Sequence, residues 1–330
     1  MMRSKFYRLF ALWTSLAAIL MYFAIKNLTA VNLLAALAVV IGLSPAIGLL
    51  LTLSSDGAMN YFKSLLKNKK NALYHTAGAL SILFVLPALL TKSFNPYFAA
   101  IFFITTLGIF GSLKQLKSVK YRLSWMDLII WLLLWIPFDL RWTMELLPAV
   151  DTVSYTWWSI VISLLAVIAW VGFREADIGY RLAPDGKDVL VALTALALIM
   201  VLVIPPGLLS GFLTFAIPDS FKITKHTAHF IGLFLTVALP EELFFRGILL
   251  KGLYELFTTK WIALLISSLA FGLMHWNNVD SLSLKIIYVS LASVAGVGYG
   301  WAFQKSGNKL FAPILTHTLV DWIWKLLLSA

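Results

Sequence analysis

Cysteine is missing from all 330 residues. Disulfides, thiolate nucleophiles and cysteine-bound metals are therefore excluded, and redox chemistry says nothing about compartment. Charge is also scarce. Asp, Glu, Lys and Arg make up 12% of the chain, against about 25% in a soluble domain. There is no HExxH, no GxSxG elbow and no Walker loop, which removes zincin, serine-hydrolase and P-loop chemistry. No hydrophilic stretch is long enough to build a separate water-soluble core, and there is no low-complexity tract or evident repeat. An ordinary cytosolic globule is excluded, and so is disorder, which needs low hydrophobicity.

What is abundant is apolar, at 61% of the residues. Apolar stretches run at approximately 9–25, 31–53, 76–91, 96–113, 124–138, 156–173, 188–209, 230–250, 261–276, 284–303 and 310–328. A membrane span takes about 20 such residues, so the chain has room for ten or eleven. They read as helices because lipid offers no partner to an open backbone group. Runs such as Leu128–Leu134 lack the alternation of a membrane barrel. The predicted fold class is all-α, a polytopic transmembrane helical bundle.

The net charge is +11, from 26 basic and 15 acidic residues. In such a chain the basic groups sit in short loops, where they set orientation and meet anionic lipid, so no nucleic-acid partner is expected. Lys63, Lys67, Lys69 and Lys70 crowd one loop, and Lys114, Lys117, Lys120 and Arg122 another. The loops near Lys26 and Lys92 are nearly uncharged, and Asp139–Asp151 is the most acidic. Alternating these loops places the N-terminus in the cytoplasm, in the cell membrane of a prokaryote. Arg3, Lys5 and Arg8 precede the run Leu9–Ile25, which reads as a retained first span rather than a cleaved signal. Trp157 and Trp158 fit an interfacial aromatic belt.

The organisation changes near residue 174. Up to residue 173 the spans are almost free of ionisable groups. Residues 174–187 form a polar connector with Pro184 and Gly186 as turn residues. After it the apolar helices carry acids and histidines. The expected division is an N-terminal helical module of unknown role over 1–173, the connector, and a C-terminal module over 188–330 that carries the chemistry.

Three clusters make that chemistry. A charge at the centre of a membrane helix costs about 2.5–3.5 kcal/mol on insertion scales, so such groups are paired or functional. The first is Pro240-Glu241-Glu242-Leu243-Phe244-Phe245-Arg246. Glu242 and Arg246 are one helical turn apart and can pair, while Glu241 points about 100° away. A packing ion pair is the purely structural alternative. The second is Phe271-Gly272-Leu273-Met274-His275, with Phe271 and His275 on one face and Gly272 allowing close approach by a neighbour. The third is His317-Thr318-Leu319-Val320-Asp321, whose carboxylate can orient the imidazole. Taken singly, the second reads as an interfacial histidine and the third as helix-joining glue. Taken together, a Glu, two His and an Asp meeting inside a bundle make a site for water activation or a metal. Ser267 and Ser268 read as small-residue packing, His226 and His229 as a polar helix entrance, and His75 as solvated. Ala292, Gly296 and Gly300 form a small-residue seam between helices. Pro205-Pro206-Gly207 marks a possible helix break.

In these clusters the sequence resembles the CPBP family of intramembrane proteases, whose pattern is EExxxR, FxxxH and HxxxN or HxxxD on successive helices. Glu241-Glu242…Arg246, Phe271…His275 and His317…Asp321 follow that order and spacing. The resemblance covers roughly 188–330 and leaves the first six spans outside. It implies a CPBP-like catalytic helical core and a glutamate-dependent endopeptidase acting on a membrane-associated protein or peptide. By that resemblance Glu241 and His275 activate water, His317 and Asp321 stabilise the oxyanion or hold the site, and Glu242, Arg246 and Phe271 support them. Asp321 stands where the pattern often has Asn, and a carboxylate donates only when protonated, which favours a histidine-orienting or metal-ligand role for it. Resemblance to the archaeal CAAX protease implies metal-free water activation. Other members are labelled metalloproteases, so a divalent metal such as zinc stays open, with Glu241, His275 and His317 as its ligands. Two other functions use the same groups: a non-catalytic scaffold or immunity protein on this fold, and a proton-coupled transporter.

Overall fold

The computed structural model describes residues 2–26, 33–69, 71–90, 94–116, 121–142, 151–216 and 222–329. Lys70, Lys92, Lys117, Lys120 and most of the acidic loop 139–151, on which the orientation reading leans, lie outside the described residues. The helices are α1 Met2–Lys26, α2 Leu33–Leu53, α3 Asp56–Asn68, α4 Ala72–Leu90, α5 Pro96–Gln115, α6 Trp125–Asp139 and α7 Asp151–Ala166. The last continues as a π-helical segment, Val167–Phe173. Then follow α8 Gly186–Leu209, α9 Ile223–Leu233, α10 Leu239–Glu242, α11 Lys251–Leu253, α12 Lys260–Leu273, α13 Leu282–Lys305 and α14 Phe311–Leu327. The strand pairing among the described residues is one short antiparallel pair, β1 Thr214–Phe215 with β2 Leu328–Ser329.

Five of these helices are long and apolar enough to cross a membrane: Ala72–Leu90, Pro96–Gln115, Tyr155–Phe173, Gly186–Leu209 and Leu282–Lys305. Val40–Leu53 and Asp56–Asn68 pass together as a sixth candidate, bent by 105°. The chain is an integral, multi-pass, all-α membrane protein. The apolar stretches of the sequence do not each become a full span. Those at 124–138 and 261–276 fold as helices of 15 and 14 residues, short of the ~20 an upright crossing takes. The stretch at 230–250 is interrupted by π-helical turns at Phe234–Ala238 and Leu243–Leu250.

The chain divides into two compact units, Met1–Lys120 with Ser124–Asp177, and Tyr121–Leu123 with Ile178–Ala330. In the first, α7 and its π-helical extension are the buried element. Trp157 and Trp158 are each 4% exposed, so they are core residues and not the interfacial belt their chemistry suggested. This unit also holds a buried ion pair. Asp127 closes a capping box with Ser124 at the start of α6, accepts from Trp170 Nε1 at 3.0 Å and from Arg174 Nη2 at 3.0 Å. Arg174 donates further to the Leu116 carbonyl. One carboxylate thereby satisfies the Ser124 N–H, an indole N–H and a buried cation, while the Ser124 hydroxyl accepts from the Asp127 N–H.

In the second unit, α8 starts at a capping box between Asp185 and Asp188, and Lys309 reaches both acids, at 2.7 and 3.1 Å. The helix runs through Pro205 and Pro206 and ends at Ser210. The prolines therefore mark a helix end and not a break within a span. Ser281 caps α13. The small-residue seam of α13 faces α12 and the segment around Arg246. A Cβ on Gly296 would stand 3.2 Å from Ser268 Cα and 3.3 Å from Arg246 Nη2. Gly272 meets the same helix from α12: a Cβ there would lie 2.6 Å from the Val289 carbonyl oxygen and closer still to Ser293 Oγ.

Candidate active site

The segment that carries Glu241 and Glu242 is a single α-helical turn, Leu239–Glu242, set between the two π-helical stretches. Each π turn adds a residue to the regular 3.6 spacing and swings the following side chains around the axis. Here Glu242 and Arg246 are both fully buried and Glu241 is 14% exposed.

Glu242 is the junction. Its Oε1 accepts from Arg246 Nη1 at 3.0 Å and from His317 Nδ1 at 2.8 Å. Arg246 Nη2 donates to the Gly296 carbonyl of α13 at 3.0 Å, and a Cβ at 296 would press on that nitrogen and on Ser268. The guanidinium lies over the faces of Phe271, at 4.4 Å, and Tyr299, at 5.2 Å. A cation in a buried site is thus balanced by a carboxylate, a carbonyl and two ring faces.

Two more acids face the other nitrogen of His317. Nε2 lies 3.7 Å from Glu241 Oε2 and 3.5 Å from Asp321 Oδ2. The sequence spacing makes Asp321 the carboxylate expected to orient this imidazole. The tight hydrogen bond instead comes from Glu242, because the folded helices bring Nδ1 onto that oxygen. A carboxylate only accepts, so Nδ1 carries the proton and Nε2 is the atom that faces Glu241 and Asp321. Glu241 Oε2 is buried and has no hydrogen-bond partner.

His275 stands beside this set and touches it through rings. Its Nδ1 is 3.0 Å from the Phe271 carbonyl one turn back. A carbonyl only accepts, so Nδ1 is the protonated nitrogen and Nε2 of the neutral ring keeps its lone pair. The ring packs against Phe271, with centroids 4.9 Å apart, and Tyr288, at 5.1 Å. Phe271 in turn meets His317 edge to face at 5.6 Å. The structure thus brings Glu241, Glu242, Arg246, His317 and Asp321 into direct polar contact, and places Phe271 between the two histidines.

The side residues have plain roles. Ser267 Oγ donates to the Phe245 carbonyl and Ser268 Oγ to that of Leu264, each at 2.7 Å. The His226 carbonyl accepts from Trp322 Nε1 at 3.1 Å. His75 is exposed in the first turn of α4. Two residues of the cluster escaped the sequence reading, Tyr299 and Tyr288, both on α13. Tyr299 stacks on His317 with centroids 4.5 Å apart and planes at 15°. Its signal was its place between Gly296 and Gly300, one bulky ring in a seam of small residues. Tyr288 carries no such mark.

Among the described residues no three His, Asp or Glu side chains are grouped so as to hold a metal ion. Glu241, His275 and His317 are not drawn together as three ligands in this arrangement.

Comparison with known proteins bears on this stretch of chain. Residues 224–323 match the family described as type II CAAX prenyl endopeptidase Rce1-like. The uncharacterized protein YpbD of Bacillus subtilis (strain 168) is 30% identical over 96 residues, 29% of this chain and 43% of that protein. The chain thus spans less than half the length of this curated relative. No solved structure matches it. All three clusters, from Glu241 to Asp321, fall inside the matched residues, and the resemblance to the CPBP family of membrane proteases rests on residues 224–323, which are Rce1-like.

Proposed function

We propose that the second unit is a glutamate-dependent intramembrane endopeptidase that cleaves a membrane-associated protein or peptide, and that the chain sits in a prokaryotic cell membrane with its N-terminus in the cytoplasm. The observation that carries the catalytic reading is Glu241 Oε2, buried, without a hydrogen bond, and 3.7 Å from His317 Nε2. One oxygen atom can stand at about 2.8 Å from both, which suits a water or a substrate oxygen. Glu242, by contrast, is committed through Oε1 to Arg246 and His317.

In the proposed reaction Glu241 takes a proton from water as the water oxygen bonds to the scissile carbonyl carbon. His275, with Nε2 as acceptor, receives the second hydrogen bond of that water. The carbonyl π pair moves onto oxygen, and an N–H at His317 Nε2 donates to the resulting oxyanion. Collapse of the intermediate breaks the C–N bond, and the leaving amine takes the proton from Glu241. Glu242 and Arg246 hold His317, and Asp321 stabilises its outer nitrogen.

The probe is a prenylated CAAX peptide offered to the purified protein in liposomes, with the products read by mass spectrometry. Glu241→Gln is expected to lower cleavage by about 10²–10⁴-fold, the usual size of a general-base contribution, and His275→Ala by a comparable factor. Cleavage that survives Glu241→Gln unchanged overturns the assigned roles. A native protein that cleaves nothing while both variants keep its cellular phenotype supports the scaffold alternative.

A further inference from the structure

We infer that Tyr299 is a positioning residue that sets the plane of the His317 imidazole. The inference rests on the endopeptidase reading for its consequence in turnover, and on geometry alone for the positioning itself.

An imidazole on a helix has one soft torsion, about Cβ–Cγ. A single hydrogen bond at Nδ1 pins one edge of the ring and decides which nitrogen points inward. It does not fix the tilt about the axis through that bond. The Glu242 contact at 2.8 Å supplies the first constraint. The second comes from α13. Tyr299 is 2% exposed and lies flat on His317, 4.5 Å between centroids and 15° between planes. Phe271 adds an edge-to-face contact with His317 at 5.6 Å and another with Tyr299 at 5.8 Å. Arg246 spans the Tyr299 and Phe271 faces, so the phenol ring is itself held in place. A tilt of His317 would carry Nε2 away from Glu241 and Asp321, which stand at 3.7 and 3.5 Å. Alpha-13 thus completes a site whose motif residues all belong to other elements: Gly296 receives the arginine and Tyr299, one turn on, the imidazole.

The test needs no substrate for its first part. The chain has five histidines. With the protein in nanodiscs and its histidines isotope-labelled, one ring C–H resonance is expected to lie upfield, shifted by the ring current of the stacked phenol. Loss of that signal in His317→Gln assigns it. It should persist in Tyr299→Phe and return to the ordinary histidine region in Tyr299→Leu. Where Tyr299→Leu fails to fold, Tyr299→Met serves, since it fills the space without a ring face. A resonance that does not move in either aliphatic variant overturns the inference. In the second part, with the prenylated CAAX peptide, Tyr299→Leu is expected to lower kcat on the order of 10²-fold, the effect of a small misplacement of a reacting group, with KM nearly unchanged and Tyr299→Phe restoring turnover. Equal losses in the Phe and Leu variants overturn it, because they would assign the role to the hydroxyl. A native protein without peptidase activity overturns the endopeptidase reading, and the resonance still decides whether Tyr299 sets the ring.

Discussion

Glu242 Oε1 and His317 Nδ1 lie 2.8 Å apart although 75 residues separate them in the chain. The same oxygen accepts from Arg246, so one atom links an imidazole, a guanidinium and, through Gly296, a third helix. Glu242 Oε2 makes no hydrogen bond, so all of the carboxylate's hydrogen bonding is concentrated on a single oxygen. Such a junction cannot be cut at one point without orphaning its neighbours.

Glu242→Ala should therefore destabilise the second unit by about 3–5 kcal/mol, the usual result of leaving a buried charge unpaired. The check is thermal unfolding in detergent. Glu241→Gln, by contrast, should leave the midpoint undiminished while cleavage falls, since Glu241 Oε2 has no hydrogen bond to lose. A Glu242→Ala protein as stable as the native one would remove Glu242 from its role as junction.

In the first unit Asp127 plays the matching part for Arg174 and Trp170. Asp127→Ala removes a helix cap and leaves a guanidinium buried at 4% exposure. A loss of about 3–5 kcal/mol is expected, read as early release of the Trp170 fluorescence signal on heating. Double replacement, Asp127→Leu with Arg174→Met, should recover much of the loss, because no uncompensated charge then stays inside.

Gly272 tests the closeness of α12 and α13. Gly272→Ala should cost about 1–3 kcal/mol, the usual penalty of overpacking. Adding Ser293→Ala relieves only part of it, since the Val289 carbonyl oxygen still stands 2.6 Å from the new Cβ and backbone cannot rotate away. Full recovery in the double variant would show that the helices are not held this closely. The measurement is the unfolding midpoint of the two proteins side by side.

The ion pair at the start of α8 gives a pH signature. The Lys309 hydrogen bond holds the exposed Asp185 carboxyl below its ordinary range, with the Asp188 amide helping. Lys309 is raised by Asp185 first and Asp188 next. A depressed acid contributes stability above its unfolded pKa and loses it as pH falls through the folded value. A raised base contributes below its unfolded pKa and loses it as pH rises through the folded value. The pair therefore acts across the neutral range and fades below about pH 4 and above about pH 10. Lys309→Met should lower the unfolding midpoint modestly at pH 7, and the gap to the native protein should close in acid. A gap that does not narrow at all as the pH is lowered from 7 into acid would exclude this pair as its source.

Much of this was legible in one dimension because the solvent is lipid. Acids and imidazoles in apolar runs are costly unless they meet, and Glu242 with Arg246, and Phe271 with His275, share a face by helical period alone. The same rule misled where a residue type has two homes. Trp157 and Trp158 suit a membrane interface by their chemistry but pack in a core, since burial of a ring depends on neighbours the local sequence does not name. Asp127 was passed over because its partner Arg174 lies 47 residues on.

The sequence alone determined the class of molecule, the order of its three polar clusters and the pairs one turn apart, because hydropathy and helical period are local properties. Only the tertiary structure decided that Glu242 rather than Asp321 grips His317, that Glu241 keeps an oxygen without a hydrogen bond, and that α13 supplies a tyrosine no motif contains. Those are contacts between separate helices, set by how side chains of different shape fill one another's gaps, and no spacing along the chain encodes them.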